Sequence, residues 1–144
     1  MTDITLERHI DASPEQVFSF FTSSERWSAW QGASTTIDAK VGGAYRMIAP
    51  NGGVASGTVL ELVPSRLIVF SWGWEGHPKV PPGSSTVRIE LTAQEGKTIV
   101  KLTHSGLPPD ETGLHRMGWD HYLERLGSVS SGHDPGPDAG LGGT

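Results

Sequence analysis

The residues best able to do chemistry in this chain are its histidines, and His104 is the one whose spacing points it inward. It follows Val100 and Leu102 at alternate positions of a predicted strand, so the three side chains share one face. An inward imidazole could act as an acid or base, because histidine titrates near neutral pH. We favour a buried histidine that holds the connection between strand and helix through backbone hydrogen bonds. His104 is the one catalytic candidate, and that role is left open.

Other reaction chemistries lack the residues they need. The chain has no cysteine, which excludes thiol nucleophiles, disulfides and thiolate metal sites. The histidines, at positions 9, 77, 104, 115, 121 and 133, do not pair at the i, i+2 or i, i+4 spacing of metal ligands. We therefore predict no metal site and no cofactor. We expect His115, one helical turn before Trp119, to be exposed to solvent, although it could reach the mouth of a cavity.

Aromatic side chains are the strongest candidates for binding, since the chain contains five tryptophans. Trp72 and Trp74 share one face of a predicted strand, and Trp119 lies on the apolar stripe of a predicted helix. Ligand pockets are lined mainly by apolar and aromatic side chains with a few polar groups. The predicted ligand-binding residues are Trp27, Trp30, Tyr45, Met47, Phe70, Trp72, Trp74, His104, Trp119 and Tyr122. The alternative, a closed aromatic core without a cavity, is left open.

Hydrophobic periodicity predicts the elements that would position these side chains. Residues 4–10 alternate as a strand, and Ser13-Pro14 begins the first of two short helices, at 14–22 and 24–30. Six further strands are predicted at 35–40, 44–50, 54–63, 66–75, 84–93 and 97–105. An amphipathic helix at 110–126 follows. This pattern predicts an α+β fold in which a curved antiparallel sheet of six to seven strands wraps around a long C-terminal helix.

Length and charge limit the domain organisation and the partners. Residues 1–130 are expected to form a single domain, and residues 131–144, rich in Gly, Pro and Asp, a flexible tail. The net charge of −5 and the lack of a basic run argue against nucleic-acid binding. No apolar stretch approaches the ~20 residues of a membrane span, and no signal-peptide core precedes the first strand. The protein is therefore expected to be cytoplasmic, without membrane insertion.

Four separated segments carry a family resemblance. They are ITLERHIDASPEQVFSFFTSSERWSAWQG, VGGAYRM, GTVLELVPSRLIVFSW and LTHSGLPPDETGLHRMGWDHYLERL. They resemble the hallmarks of the activator of heat-shock-protein ATPase homologue-like family, within the START/SRPBCC superfamily of helix-grip, birch-pollen-allergen-like domains. The resemblance implies the helix-grip fold, with a cavity between the sheet and the C-terminal helix. It does not select a function, because one such fold hosts many activities.

Three functions remain open on this basis, and a binding module is favoured. The first is a carrier or sensor for a hydrophobic small molecule. The second is an enzyme of the cyclase, dehydratase or hydrolase type, as in polyketide-cyclase relatives, which would use the same cavity. The third is a co-chaperone-like interaction protein, which should show an exposed apolar or charged patch. A homodimer is left open as well.

Overall fold

A seven-stranded antiparallel sheet and a long C-terminal helix dominate the computed structural model, which describes residues 3–138. The strands are β1 (Ile4–Ile10), β2 (Ser34–Ile37), β3 (Ala44–Ile48), β4 (Val54–Val63), β5 (Leu67–Trp72), β6 (Ser85–Gln94) and β7 (Lys97–Ser105). The helices are α1 (Pro14–Ser19), α2 (Ser24–Ser28) and α3 (Thr112–Ser130), with a 3₁₀ turn (Pro109–Glu111) before α3. The predicted α+β class and helix-grip arrangement are confirmed.

The sheet is a meander whose first strand pairs with its last. The strand order is β1-β7-β6-β5-β4-β3-β2, and neighbouring strands are antiparallel. Ile4 lies opposite His104 and Ile10 lies opposite Thr98 in the β1–β7 ladder. The N-terminal strand therefore pairs with an edge of the meander.

Alternation along β6 shows how the sheet gains one buried and one solvated face. Val87 and Ile89 are fully buried, whereas the Arg88 side chain is 45% exposed. Apolar side chains at every second position line the core, since successive side chains of a strand point to opposite faces.

The sheet is distorted where β4 pairs with β5. The register shifts between Val59 and Glu61, an irregularity of the kind that bends a strand and increases its twist. Close by, a Cβ at Gly57 would lie 1.7 Å from the carbonyl oxygen of Ser71, so only glycine permits this approach of the two backbones.

The two short helices begin where the sequence predicts and end earlier. Ser13 and Gln16 form a capping box, with Pro14 at the first helical position. The predicted helices end at residues 22 and 30, but α1 ends at Ser19 and α2 at Ser28. Both ends close with backbone bonds from the residue that follows the helix, so the aromatic residues beyond them lie in turns.

Helix α3 packs its apolar stripe against the sheet. Trp119, Leu123 and Leu126 are each at most 2% exposed, as expected for the face that covers the sheet. The helix begins two residues after the predicted start, because the 3₁₀ turn precedes it, and it runs four residues beyond the predicted end at 126. No helix within residues 3–138 is both long and apolar enough to cross a membrane.

Candidate ligand-binding site

A cleft opens beside α3. Its opposite wall is formed by residues of β3, of the turn that follows β3, and of β5. The volume of the cleft is about 350 Å³, within the ~300–1,000 Å³ of typical small-molecule sites. The lining residues are Gln31, Met47, Ala49, Pro50, Asn51, Gly53, Trp72, Trp74, His77, Glu111, Leu114, His115, Gly118, Trp119 and Tyr122. Most of this lining is apolar, so the cleft has the composition expected of a site for a hydrophobic molecule.

Half of the predicted ligand-binding residues lie in the wall of this cleft. They are Met47, Trp72, Trp74, Trp119 and Tyr122. The Trp72 ring centroid is 5.1 Å from that of Trp119 and 5.5 Å from that of Trp74, so the three indoles form one aromatic surface. The three come from different elements: β5, the segment after it, and α3.

The other five predicted residues do not line the cleft, and this differs from the prediction. Trp27, Trp30, Tyr45, Phe70 and His104 are each at most 1% exposed and belong to the core. Trp27 and Trp30 stack with centroids 5.6 Å apart, and Trp27 lies 4.9 Å from Tyr45. The rings of Trp27, Trp30, Tyr45 and Phe70 pack on one another, as the alternative of a closed aromatic core describes.

The loop between β5 and β6 holds Trp74 in place. The strand predicted to reach residue 75 ends at Trp72, and beyond it the Trp74 N–H donates to the Val80 carbonyl at 2.6 Å. A Cβ at Gly73 would lie 1.8 Å from the Pro81 carbonyl oxygen, so the loop folds back on a glycine. His77, on the same loop, lies at the rim of the cleft.

His104 is buried between two hydrogen-bonding side chains. Its Nδ1 lies 2.9 Å from Trp119 Nε1, and its Nε2 lies 2.9 Å from Ser85 Oγ. Because an indole N–H can only donate, Nδ1 carries no proton, so Nε2 is protonated and donates to Ser85. Burial, assisted by His115, lowers the pKa of His104 to about 3. His104 is therefore neutral near pH 7 and is held by side chains rather than by the backbone bonds we expected.

His115 is also buried, which corrects the expectation that it is exposed. Its Nε2 accepts a hydrogen bond from Trp74 Nε1 at 2.9 Å, and its Nδ1 donates to the Glu111 carbonyl at 2.8 Å. Burial lowers the pKa of this imidazole as well. The sequence held a signal for this position, since His115 and Trp119 are four residues apart on one helical face.

Gln31 is one of the lining residues that the sequence analysis missed. It is fully buried, lies in the wall of the cleft, and its Oε1 accepts hydrogen bonds from Trp27 Nε1 at 2.7 Å and from the Tyr45 hydroxyl at 2.9 Å. Its Nε2 and the Nε1 of Trp72 have no hydrogen-bond acceptor among residues 3–138. The i, i+4 spacing of Trp27 and Gln31 was the available signal.

The segment that follows α3 packs against the body of the protein. Asp138 accepts hydrogen bonds from the Gly32 backbone N–H at 3.0 Å and from His121 Nε2 at 2.8 Å. Arg125, itself buried, donates to the Gly136 carbonyl at 2.8 Å. The sequence analysis predicted a flexible tail from residue 131 onwards. Gly136 and Asp138, within that segment, instead make hydrogen bonds to the body of the protein.

The difference has a physical reason. The expectation of a tail rested on its small apolar area, whereas polar and charged groups make the contacts observed. Residues 139–144 lie outside the described residues. Among residues 3–138, no group of three histidine, aspartate or glutamate side chains is arranged to hold a metal ion.

The chain is similar to a family of known proteins. Residues 11–130 match the family model described as Activator of Hsp90 ATPase homolog 1-like protein. The human Activator of 90 kDa heat shock protein ATPase homolog 1 is 30% identical over 119 residues, which cover 83% of this chain and 34% of that protein. The chain thus spans about a third of the length of the curated relatives that it matches.

Two solved structures extend the comparison. An AHSA1-like protein of Rhizobium etli is 41% identical with a TM-score of 0.75, over 95% of this chain and 86% of that one. The Aha1 dimer of Colwellia psychrerythraea has a TM-score of 0.78 at 20% identity, over 91% of this chain and 97% of that one, a likeness of fold alone. Since the family model covers most of its length, the chain belongs to the Activator of Hsp90 ATPase homolog 1-like family.

Proposed function

We propose that this protein binds a hydrophobic small molecule in the cleft between α3 and the sheet, as a carrier or sensor. The observation that supports it most directly is the cleft of about 350 Å³ with its surface of three indoles. An apolar compound that enters it removes the exposed apolar surface of the cleft from water, which favours binding by about 25 cal/mol per Å² of apolar area buried. The cleft opens beside Leu114, so a ligand can enter without unfolding any element.

The state of the two buried histidines favours binding over catalysis. His104 and His115 each use one ring nitrogen to accept from an indole and the other to donate, and burial lowers both pKa values. A general acid or base works best with a pKa near the working pH. An imidazole that is locked neutral supports a structural role, so an enzymatic use of the cleft has the weaker argument.

The test is a titration with the neutral fluorescent probe N-phenyl-1-naphthylamine, with two matched variants of α3. Leu114 lies at the mouth of the cleft and is 65% exposed, whereas Met117 is 57% exposed on the same helix and does not line the cleft. Leu114→Glu should lower the affinity for the probe about tenfold, if ~50 Å² of apolar contact is lost. Met117→Glu should change it by less than about twofold.

Both variants should fold, because both residues are exposed. The proposal fails if the wild-type protein binds no probe with a one-to-one stoichiometry. It also fails if the two variants lower the affinity equally, since the probe would then sit on the outer surface of α3.

A second candidate, a co-chaperone-like interaction protein, has one observation in its favour. Leu114 and Met117 are exposed apolar neighbours at i, i+3, and exposed apolar patches mark interaction surfaces. The name of the human relative suggests the assay, which is stimulation of the ATPase of a 90 kDa heat shock protein. If α3 is a docking surface, the protein stimulates that ATPase and both glutamate variants abolish the effect.

Self-association and location stay predictions. The Colwellia relative is described as a dimer, and sedimentation equilibrium would decide whether this chain forms one too. The cytoplasmic location likewise rests on the sequence analysis, and fractionation of the host cell would test it.

A further inference from the structure

Two buried N–H groups in the wall of the cleft have no acceptor. Gln31 is 0% exposed and Trp72 is 3% exposed, and neither Gln31 Nε2 nor Trp72 Nε1 has a hydrogen-bond partner among the described residues. An unpaired buried donor is destabilising, and native proteins leave few of them. Two in one wall of a cleft call for an explanation in terms of what binds there.

A flip of the Gln31 amide cannot pair its unpaired N–H group. The orientation of the Gln31 amide is fixed, because Trp27 Nε1 can only donate and therefore faces Oε1. A flip of the amide would set N–H against N–H. Tyr45 joins the two sites, since its hydroxyl donates to Gln31 and its ring centroid lies 6.0 Å from that of Trp72.

The accepting ring nitrogens of His104 and His115 are already used. Three indoles line the cleft, and two of them have imidazole partners: Trp119 donates to His104 Nδ1 and Trp74 donates to His115 Nε2. The second nitrogen of each imidazole is a donor. Trp72 is therefore the indole of the cleft that has no acceptor in the described part of the chain.

The two unpaired side-chain groups buried in this wall are thus both neutral donors. A compound that complements it carries an acceptor oxygen on an apolar body. The cleft lining contains no lysine or arginine and has the acidic Glu111 at its rim, so a carboxylate would lose its hydration without gaining a cation. A neutral carbonyl oxygen, as in a ketone, ester or amide, is such an uncharged acceptor.

We propose, building on the proposed function, that the cleft selects a neutral apolar carbonyl compound whose oxygen accepts hydrogen bonds from Gln31 Nε2 and Trp72 Nε1. Both nitrogens are buried in the wall, so binding requires a side-chain movement that opens them to the oxygen. Met47 lines the same wall, and its unbranched thioether side chain adapts readily to such a movement.

The test compares three probes of similar shape: 2-acetylnaphthalene, 2-ethylnaphthalene and 2-naphthoate. Two recovered hydrogen bonds should make the wild-type protein prefer the ketone over the hydrocarbon about tenfold or more. The carboxylate should bind more weakly than the ketone. Addition of the ketone should move the indole N–H proton resonance of Trp72 downfield, and that resonance is assigned by its loss in Trp72→Phe.

Two variants of the cleft wall separate this proposal from simple apolar binding. Trp72→Phe removes an unpaired N–H and should reduce the preference for the ketone about threefold to tenfold. Trp74→Phe is the matched control, because the N–H that it removes already donates to His115. The affinities for the ketone and the hydrocarbon should therefore change together, and their ratio should stay constant.

Several results would overturn the proposal. Equal affinity for ketone and hydrocarbon would do so, as would tighter binding of the carboxylate or a ratio unchanged in Trp72→Phe. If the hydrocarbon binds as well as the ketone, the proposed binding of apolar molecules is retained and the proposed preference for a carbonyl group is rejected. If no probe binds, the proposed function itself has failed.

Discussion

Acidification should destabilise this protein well above the pH at which carboxylates titrate, because His104 is buried as the neutral imidazole. Its folded pKa is about 3, below the ordinary value of 6.5 expected in the unfolded chain. As the pH falls, the unfolded state therefore takes up a proton first. The stability that depends on this group is complete above pH 6.5 and is lost progressively as the pH falls from 6.5 towards 3.

The size of the effect follows from these two values. Each pH unit below 6.5 removes about 1.4 kcal/mol, so His104 alone should cost about 2 kcal/mol at pH 5 relative to pH 7.5. The pKa of His115 is lowered in the same sense and adds to this loss. Small domains have a total stability of about 5–15 kcal/mol, so such a change is readily measured.

The assay is urea unfolding followed by tryptophan emission at pH 7.5, 6 and 5, with His104→Gln as the comparison. Glutamine can present its oxygen to Trp119 and its N–H to Ser85, but it does not titrate. The free energy of unfolding of the wild type, relative to that of His104→Gln, should fall by about 2 kcal/mol from pH 7.5 to pH 5. Parallel curves would refute the reasoning, and so would an NMR titration that places the His104 pKa near 6.5.

Three further predictions concern stability and can be checked by denaturant unfolding. Trp119→Ala should cost about 3–5 kcal/mol, because it empties a buried aromatic site; a loss below about 1 kcal/mol would contradict that packing. Deleting residues 131–144 should cost about 1–3 kcal/mol through the contacts of Asp138 and Arg125, and an unchanged midpoint would mean that this segment does not dock. Gly57→Ala should cost more than about 1 kcal/mol, because its Cβ would meet the Ser71 backbone. Gly113→Ala, where a Cβ meets nothing within 4 Å, is the control and should not destabilise.

The sheet could be predicted from sequence because its signal is local. The alternation of Val87 and Ile89 with Arg88 fixes which face of β6 is buried, whatever the strand packs against. The capping residues Ser13 and Pro14 likewise mark the start of α1 without knowledge of the tertiary structure. Such patterns are sufficient for the fold class and the order of the elements.

The site was harder to predict, because a buried ring can fill a core or line a cleft with the same periodicity. Trp27 and Trp72 both face inward, yet only Trp72 reaches the cleft. What separates them is the distance between elements, which no local pattern encodes. The burial of Arg125 could not be predicted from the sequence either. Its hydrogen-bond partners, such as the carbonyl of Gly136, are backbone groups, which no side-chain pattern marks.

The pairing of β1 with β7 has a consequence for how the chain folds during synthesis. The sequence between Ile10 and Lys97 must be made before the ladder can form. At about 5–20 residues per second, this delay lasts roughly 4–17 s. Throughout it the aromatic residues of α1 and α2 have no completed sheet to cover them, and exposed apolar surface in a nascent chain invites aggregation. Long-range pairing of this kind also slows folding once the chain is complete. We expect recombinant yield to rise at low temperature or with a holdase chaperone, more than the stability of the finished protein would suggest.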